Sequence, residues 1–166
     1  MKGGGDCRGV NGFKPTKMDK KTDKKKETEE MKKDDGRKKK ILVVEDDPFL
    51  SDIYYTRLKE TDFETDVAYT GDECWQKLKD KKYDLMVLDI VLPGMDGWEI
   101  MAKIREIREN GGPEGEYMEN LKVIILSNLG LKEEIQKGLR LGADSFLLKA
   151  HFTPTQVVEE IQKIIK

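Results

Sequence analysis

Residues 84–100 read DLMVLDIVLPGMDGWEI. An unbroken apolar run, Leu85-Met86-Val87-Leu88, stops on a carboxylate, Asp89. Asp96 and Glu99 then have the spacing of a capping box, ahead of a helix carrying Ile100, Ile104 and Ile107. A short all-apolar run fits a strand covered on both faces, as in a parallel sheet. The unit therefore reads as strand, acidic strand end, helix. Three more runs share its design. Ile41-Leu42-Val43-Val44 runs into Glu45-Asp46-Asp47, Val123-Ile124-Ile125-Leu126 ends on Ser127, and Phe146-Leu147-Leu148 ends on Lys149.

Helical patterns alternate with these runs. Asp47 caps a first helix with Pro48 at its first position and an apolar stripe of Phe49, Ile53 and Leu58. Glu64 to Tyr69 alternates in polarity and reads as an edge strand, and Thr70 with Glu73 opens a helix bearing Cys74, Trp75 and Leu78. The third helix stops at Gly111-Gly112-Pro113, and residues 110–120 form a longish connection. Leu131, Ile135 and Leu139 mark the buried face of a fourth helix that closes at Gly142. Thr153, Pro154 and Gln156 start the last, with Val157, Val158, Ile161, Ile164 and Ile165 facing inward. Five strands and five helices in strict alternation give an α/β fold with a parallel sheet. The flavodoxin-like (βα)5 arrangement, strand order 2-1-3-4-5, is the expectation.

Charge divides the chain. Residues 1–40 hold 15 Lys+Arg and 8 Asp+Glu, a net +7, whereas residues 41–166 hold 16 and 25, a net −9. The first segment has too few apolar residues to offset its ordering entropy, so residues 1–38 read as a disordered charged tail and 39–166 as one folded domain. No apolar stretch approaches the ~20 residues of a membrane span, and the amino terminus lacks the apolar core of a secretory signal. Cys7 and Cys74 show no metal-ligand or disulfide spacing, which fits a reducing cytoplasm. Cys74, Trp75 and Trp98 read as packing residues.

In the 2-1-3-4-5 order the switch point lies between strands one and three, where ligands bind at the carboxyl edge. Glu45, Asp46 and Asp89 stand at those strand ends. Like charges ~4 Å apart repel by about 4 kcal/mol at an effective dielectric of 20, so the three converge only with a compensating cation. Lys149 supplies one charge and a divalent metal the remainder. All-oxygen ligation suits a hard ion such as Mg²⁺. A hard cation, a lysine, the Ser127 hydroxyl and a carboxylate able to attack match phosphoryl transfer, with Asp89 as nucleophile forming an acyl phosphate.

The stretches ILVVEDDP at 41–48, DLMVLDIVLPGMDGWEI at 84–100, VIILSN at 123–128 and GADSFLLKA at 142–150 resemble the receiver domain of bacterial two-component response regulators. Asp89 followed by Pro93 and Gly97 is the most specific part of the likeness. The resemblance implies that Asp89 accepts phosphate from a phosphohistidine of a sensor histidine kinase or phosphotransfer protein. It implies Mg²⁺ or Mn²⁺ held by Asp46, Asp89 and the backbone carbonyl of Val91, with Glu45 supporting the metal shell. Ser127 takes the switch hydroxyl position and Phe146 the switch aromatic position; Ser127 and Lys149 would bind phosphoryl oxygens. A downstream protein would read the face of the fourth helix, fifth strand and fifth helix. The expected molecule is a cytoplasmic signalling phosphoacceptor rather than an enzyme on external substrates. It would lack a DNA-binding domain, because the chain ends with the fifth helix at Lys166.

Two positions depart from the family's pattern. Ala150 stands where a proline, often cis, usually follows the lysine, and Asn128 where a small residue usually follows the switch hydroxyl. A cis bond before a residue other than proline costs about 3 kcal/mol, so that loop is expected to be trans or strained. The Asn128 amide is expected to narrow access to the phosphoryl group and alter its hydrolysis. Two rivals stay open: a receiver-like interaction module that is never phosphorylated, and a metal-dependent phosphohydrolase with an aspartyl-phosphate intermediate. The second needs a cap or substrate pocket, and no inserted segment is long enough to build one.

Overall fold

Five strands pair in parallel in the order β2-β1-β3-β4-β5: β1 (Lys40–Val44), β2 (Glu64–Ala68), β3 (Leu85–Leu88), β4 (Lys122–Ser127) and β5 (Ser145–Leu148). The topology is the one the sequence predicts. This computed structural model describes residues 36–111 and 113–166, so the expected tail lies, through residue 35, outside the described residues. Among the described residues six α-helices accompany the sheet: α1 (Pro48–Lys59), α2 (Gly71–Asp80), α3 (Gly97–Asn110), α4 (Pro113–Met118), α5 (Lys132–Arg140) and α6 (Pro154–Ile165). None of the described helices is long and apolar enough to cross a membrane.

Alternation along each strand explains the unbroken apolar runs. Leu42, Val44, Met86, Leu88, Val123 and Ile125 enter one core, which α2 and α3 close with Cys74, Leu78, Ile100, Met101 and Ile104. Ile41, Val43, Leu85, Val87, Ile124 and Leu126 enter the other, closed by Tyr54 and Leu58 of α1 and by Val157, Val158 and Ile161 of α6. Trp75 and Trp98 pack partly buried against the first core. Cys74 is fully buried there, and burial pushes its thiol up to about 12. It is filler.

The caps form where their chemistry predicts. Asp47 accepts from Phe49 N (2.8 Å), and Thr70 accepts from Glu73 N (3.1 Å). Asp96 with Glu99 and Thr153 with Gln156 make reciprocal capping boxes. Behind α5, Gly142 N donates to Leu139 O and Ala143 N to Gly138 O, a Schellman closure with Gly142 at φ +96°.

Three local expectations change. The connection at 110–120 contains α4, whose Met118 is buried in the first core with Leu121. Arg108 pins it by donating to the Met118 and Leu121 carbonyls. Phe49 is not part of the buried stripe of α1; it is 73% exposed, and Tyr54 takes that place. On α5, Leu131 (67% exposed) and Leu139 (49%) face outward, and the buried residue is Gly138. The reason is steric. A β-carbon at Gly138 would meet Ile125 Cδ1 at 2.7 Å and the Phe146 ring at 3.0 Å, so only glycine lets this helix lie so near the sheet.

Gly97 makes an equally close approach. A β-carbon there would lie 2.5 Å from the Asp89 carbonyl oxygen and 2.7 Å from Ile90 Cα. Gly97→Ala therefore forces backbone apart, and urea unfolding should show a loss of about 1–3 kcal/mol. At the far edge of the sheet, Asp66 accepts from Lys81 Nζ (2.9 Å) and Tyr83 OH (2.8 Å). Partial burial works to raise the Asp66 pKa, but these two donors outweigh it and hold the carboxyl below its ordinary value. That stabilisation is present above about pH 4 and is lost as pH falls through the depressed value. Asp66→Asn should be less stable than wild type at pH 6, with the gap narrowing at pH 3 in parallel urea titrations.

Candidate functional site

Strand register brings the site together. Val44 pairs with Leu88 and Ser127 with Leu148, so Glu45, Asp89 and Lys149 each leave the sheet at its carboxyl edge. Glu45 and Asp89 are 3% and 5% exposed, while Asp46, one residue further into the β1–α1 loop, is open to solvent. One carboxylate oxygen from each of Glu45, Asp46 and Asp89 lies within 4.8 Å of the others. Lys149 Nζ sits 2.6 Å from Glu45 Oε2 and 2.5 Å from Asp89 Oδ2. Asp89 Oδ1 accepts from the backbone N–H groups of Ile90 (2.6 Å) and Val91 (3.2 Å), which fixes the carboxylate plane.

These groups line a hollow of about 320 Å³, with Asp47, Val91 and Asn128 on its rim. Burial raises the Glu45 pKa, and the charge of Lys149 offsets that only in part. Burial alone would lower the Lys149 pKa, but the hydrogen bonds and charges of Asp89 and Glu45 outweigh it and keep the ammonium protonated. One ammonium faces three carboxylates. The surplus negative charge, the oxygen-only donor set and the small hollow suit a hard divalent cation.

Two of the predicted residues stand back from the hollow. Ser127 is fully buried at the end of β4, and its hydroxyl accepts from Leu129 N (3.3 Å) instead of lining the cavity. Phe146 lies partly buried beneath α5, against Gly138 and the first core. Lys149, Ala150 and His151 form a single 3-10 turn after β5. Sequence reasoning gave Asp47 only a capping role, yet it caps α1 and also lines the hollow. Tyr54 went unread. It is buried in the second core on α1, burial and the charge of Glu45 raise its hydroxyl pKa, and its helical spacing to Leu58 was the available signal.

Comparison with known proteins agrees with this geometry. Residues 41–162 match the response regulator receiver domain family. The phosphate regulon transcriptional regulatory protein PhoB of Rhizobium meliloti is 36% identical over 111 residues, covering 67% of this chain and 45% of that protein. The chain spans about half the length of the curated relatives it matches. Among solved structures, a CheY-like receiver domain protein from Methanospirillum hungatei is 26% identical with a TM-score of 0.66, covering 78% of this chain and 94% of that one. The BeF3-activated receiver domain of DrrB from Thermotoga maritima is also 26% identical, with a TM-score of 0.64 over 78% of this chain and 98% of its own. With the predicted strand order, an acidic cluster at the switch point and a family match across residues 41–162, this chain belongs to the response regulator receiver domains of two-component signalling.

Proposed function

We propose that Asp89 accepts a phosphoryl group from a phosphohistidine on a sensor histidine kinase or phosphotransfer protein. The observation that carries this reading is the convergence of Asp46, Asp89, Glu45 and Lys149 on one hollow. An Asp89 carboxylate oxygen forms the new O–P bond as the donor's N–P bond breaks, the electron pair passing to the ring nitrogen. Asp46, Asp89 and the Val91 carbonyl, supported by Glu45, would hold Mg²⁺ or Mn²⁺, whose charge offsets that of the incoming phosphoryl oxygens. Lys149, already beside Asp89 Oδ2, pairs with one of those oxygens. The BeF3-activated DrrB relative lends support, since trifluoroberyllate mimics a tetrahedral phosphoryl group.

Signalling follows from Ser127. To reach a phosphoryl oxygen its hydroxyl gives up the Leu129 N–H, which shifts the loop leading into α5. Phe146 beneath α5 follows, and a downstream protein reads the altered face of α5, β5 and α6. On this reading the chain is a cytoplasmic phosphoacceptor, and its chemistry is confined to its own aspartate.

A small phosphodonor with Mg²⁺ should raise the intact mass by one phosphate; EDTA or Asp89→Asn should abolish the gain. An unchanged wild-type mass would favour the rival in which the receiver fold serves only as an interaction module. The Asn128 amide on the rim restricts approach of the hydrolytic water. Asn128→Ala should therefore shorten the phosphorylated lifetime about fivefold, the effect of roughly 1 kcal/mol on a barrier. An unchanged decay of the labelled mass would remove that role.

A further inference from the structure

α5 is the least embedded of the long helices. Gly138 is its one buried residue, Leu131 and Leu139 face outward, and its N-cap residue, Leu131, offers no capping side chain, so only Glu134, accepting from Leu131 N (3.0 Å), caps that end. Besides its packing on β5 through Gly138 and Phe146, two contacts tie it to α3. The Lys137 ammonium lies over the Trp98 ring, 4.3 Å from the centroid, and Arg105 Nη1 donates to the Arg140 carbonyl at 3.3 Å. The two ends of this clamp differ in rigidity. Trp98 follows Gly97, whose α-carbon is seated on the Asp89 carbonyl and whose N–H donates to Ile90 O (2.9 Å). Lys137 rides on a helix reached through the loop after Ser127.

We propose that the Trp98–Lys137 contact is a brake on the switch: it holds α5 in the resting arrangement, and its strength sets how readily the phosphorylated state forms. The proposal rests on Asp89 phosphorylation displacing α5. A contact made only at rest opposes the change by its own free energy, and the apparent affinity for the activating group falls by the same factor. Cation–π attraction at an exposed site corresponds to about a two- to fivefold factor. Lys103 over Trp75 (5.0 Å) is the internal contrast, because it links α3 to α2 and leaves α5 alone.

The test uses the full chain. BeF3 with Mg²⁺ is titrated and read by the emission of Trp98 in a Trp75→Phe background, since the chain holds two tryptophans. Labelling by a small phosphodonor is followed in parallel by intact mass. Lys137→Met, which keeps the stem and removes the charge, should lower the half-saturating BeF3 concentration about two- to fivefold. Lys137→Arg should match its parent, and Lys103→Met, made in the chain that keeps Trp75, should leave the labelling unchanged. Trp98 emission should shift in step with the labelled fraction. If wild type is labelled but Trp98 emission stays constant, or if Lys137→Met lowers only the melting temperature, the brake is overturned and the phosphoacceptor reading survives. If no variant is labelled, both fall.

Discussion

The site depends on one ammonium held between two buried carboxylates. Lys149 lies within hydrogen-bond distance of both Glu45 and Asp89, and all three are largely withdrawn from water. Removing such charges from solvent is costly, and close geometry only partly offsets the cost. The arrangement is therefore not there for stability. It keeps two acids at hydrogen-bond distance from one lysine while leaving Asp46 and one side of Asp89 open to the hollow.

Parallel pairing makes that arrangement possible. All five strands run one way, so every strand ends at the same edge, and the central pair β1 and β3 sets two acids side by side. The cost of the buried charges falls on two cores filled by alternate residues of the same strands. β1, β3 and β5 thus contribute apolar side chains to both layers and run directly into charged groups at the site. A one-residue slip in β3 would exchange its layers and carry Asp89 off the edge.

This economy explains what was legible in the sequence. Four all-apolar runs, each ending on a polar residue, encode strand position and site membership together, so strand order, Asp89, Glu45, Asp46 and Lys149 could all be read. Caps could be read because Asp47, Thr70, Asp96 and Thr153 satisfy backbone donors only a few residues away. What could not be read depends on distant packing. Leu131 and Leu139 have the spacing of a buried face, yet Gly138 sits on the sheet because Phe146 and Ile125 leave no room for a β-carbon. The α4 segment carries glycines and a proline that signal a loop, but Met118 and Leu121 find the core and Arg108 binds their carbonyls. The Ser127 hydroxyl accepts from Leu129 N–H at the end of β4, and residue type alone does not decide that rotamer.

On the proposed phosphoacceptor reading, the uneven embedding of the helices gives the signal a direction. α1 and α6 close the second core with Tyr54, Leu58, Val157, Val158 and Ile161, and α3 closes the first with Ile100, Met101 and Ile104. Moving any of them exposes several buried side chains, each worth about 1.5–3 kcal/mol. Displacing α5 uncovers chiefly a glycine, the partly buried Ile135 and part of the Phe146 ring. A perturbation at Asp89 and Ser127 can reposition at low cost only the element with little to lose, and that element begins five residues after Ser127. Elements that move in switching are drawn from the weakly held end of a structure. Here the weak hold arises from a glycine at the one fully buried position of α5.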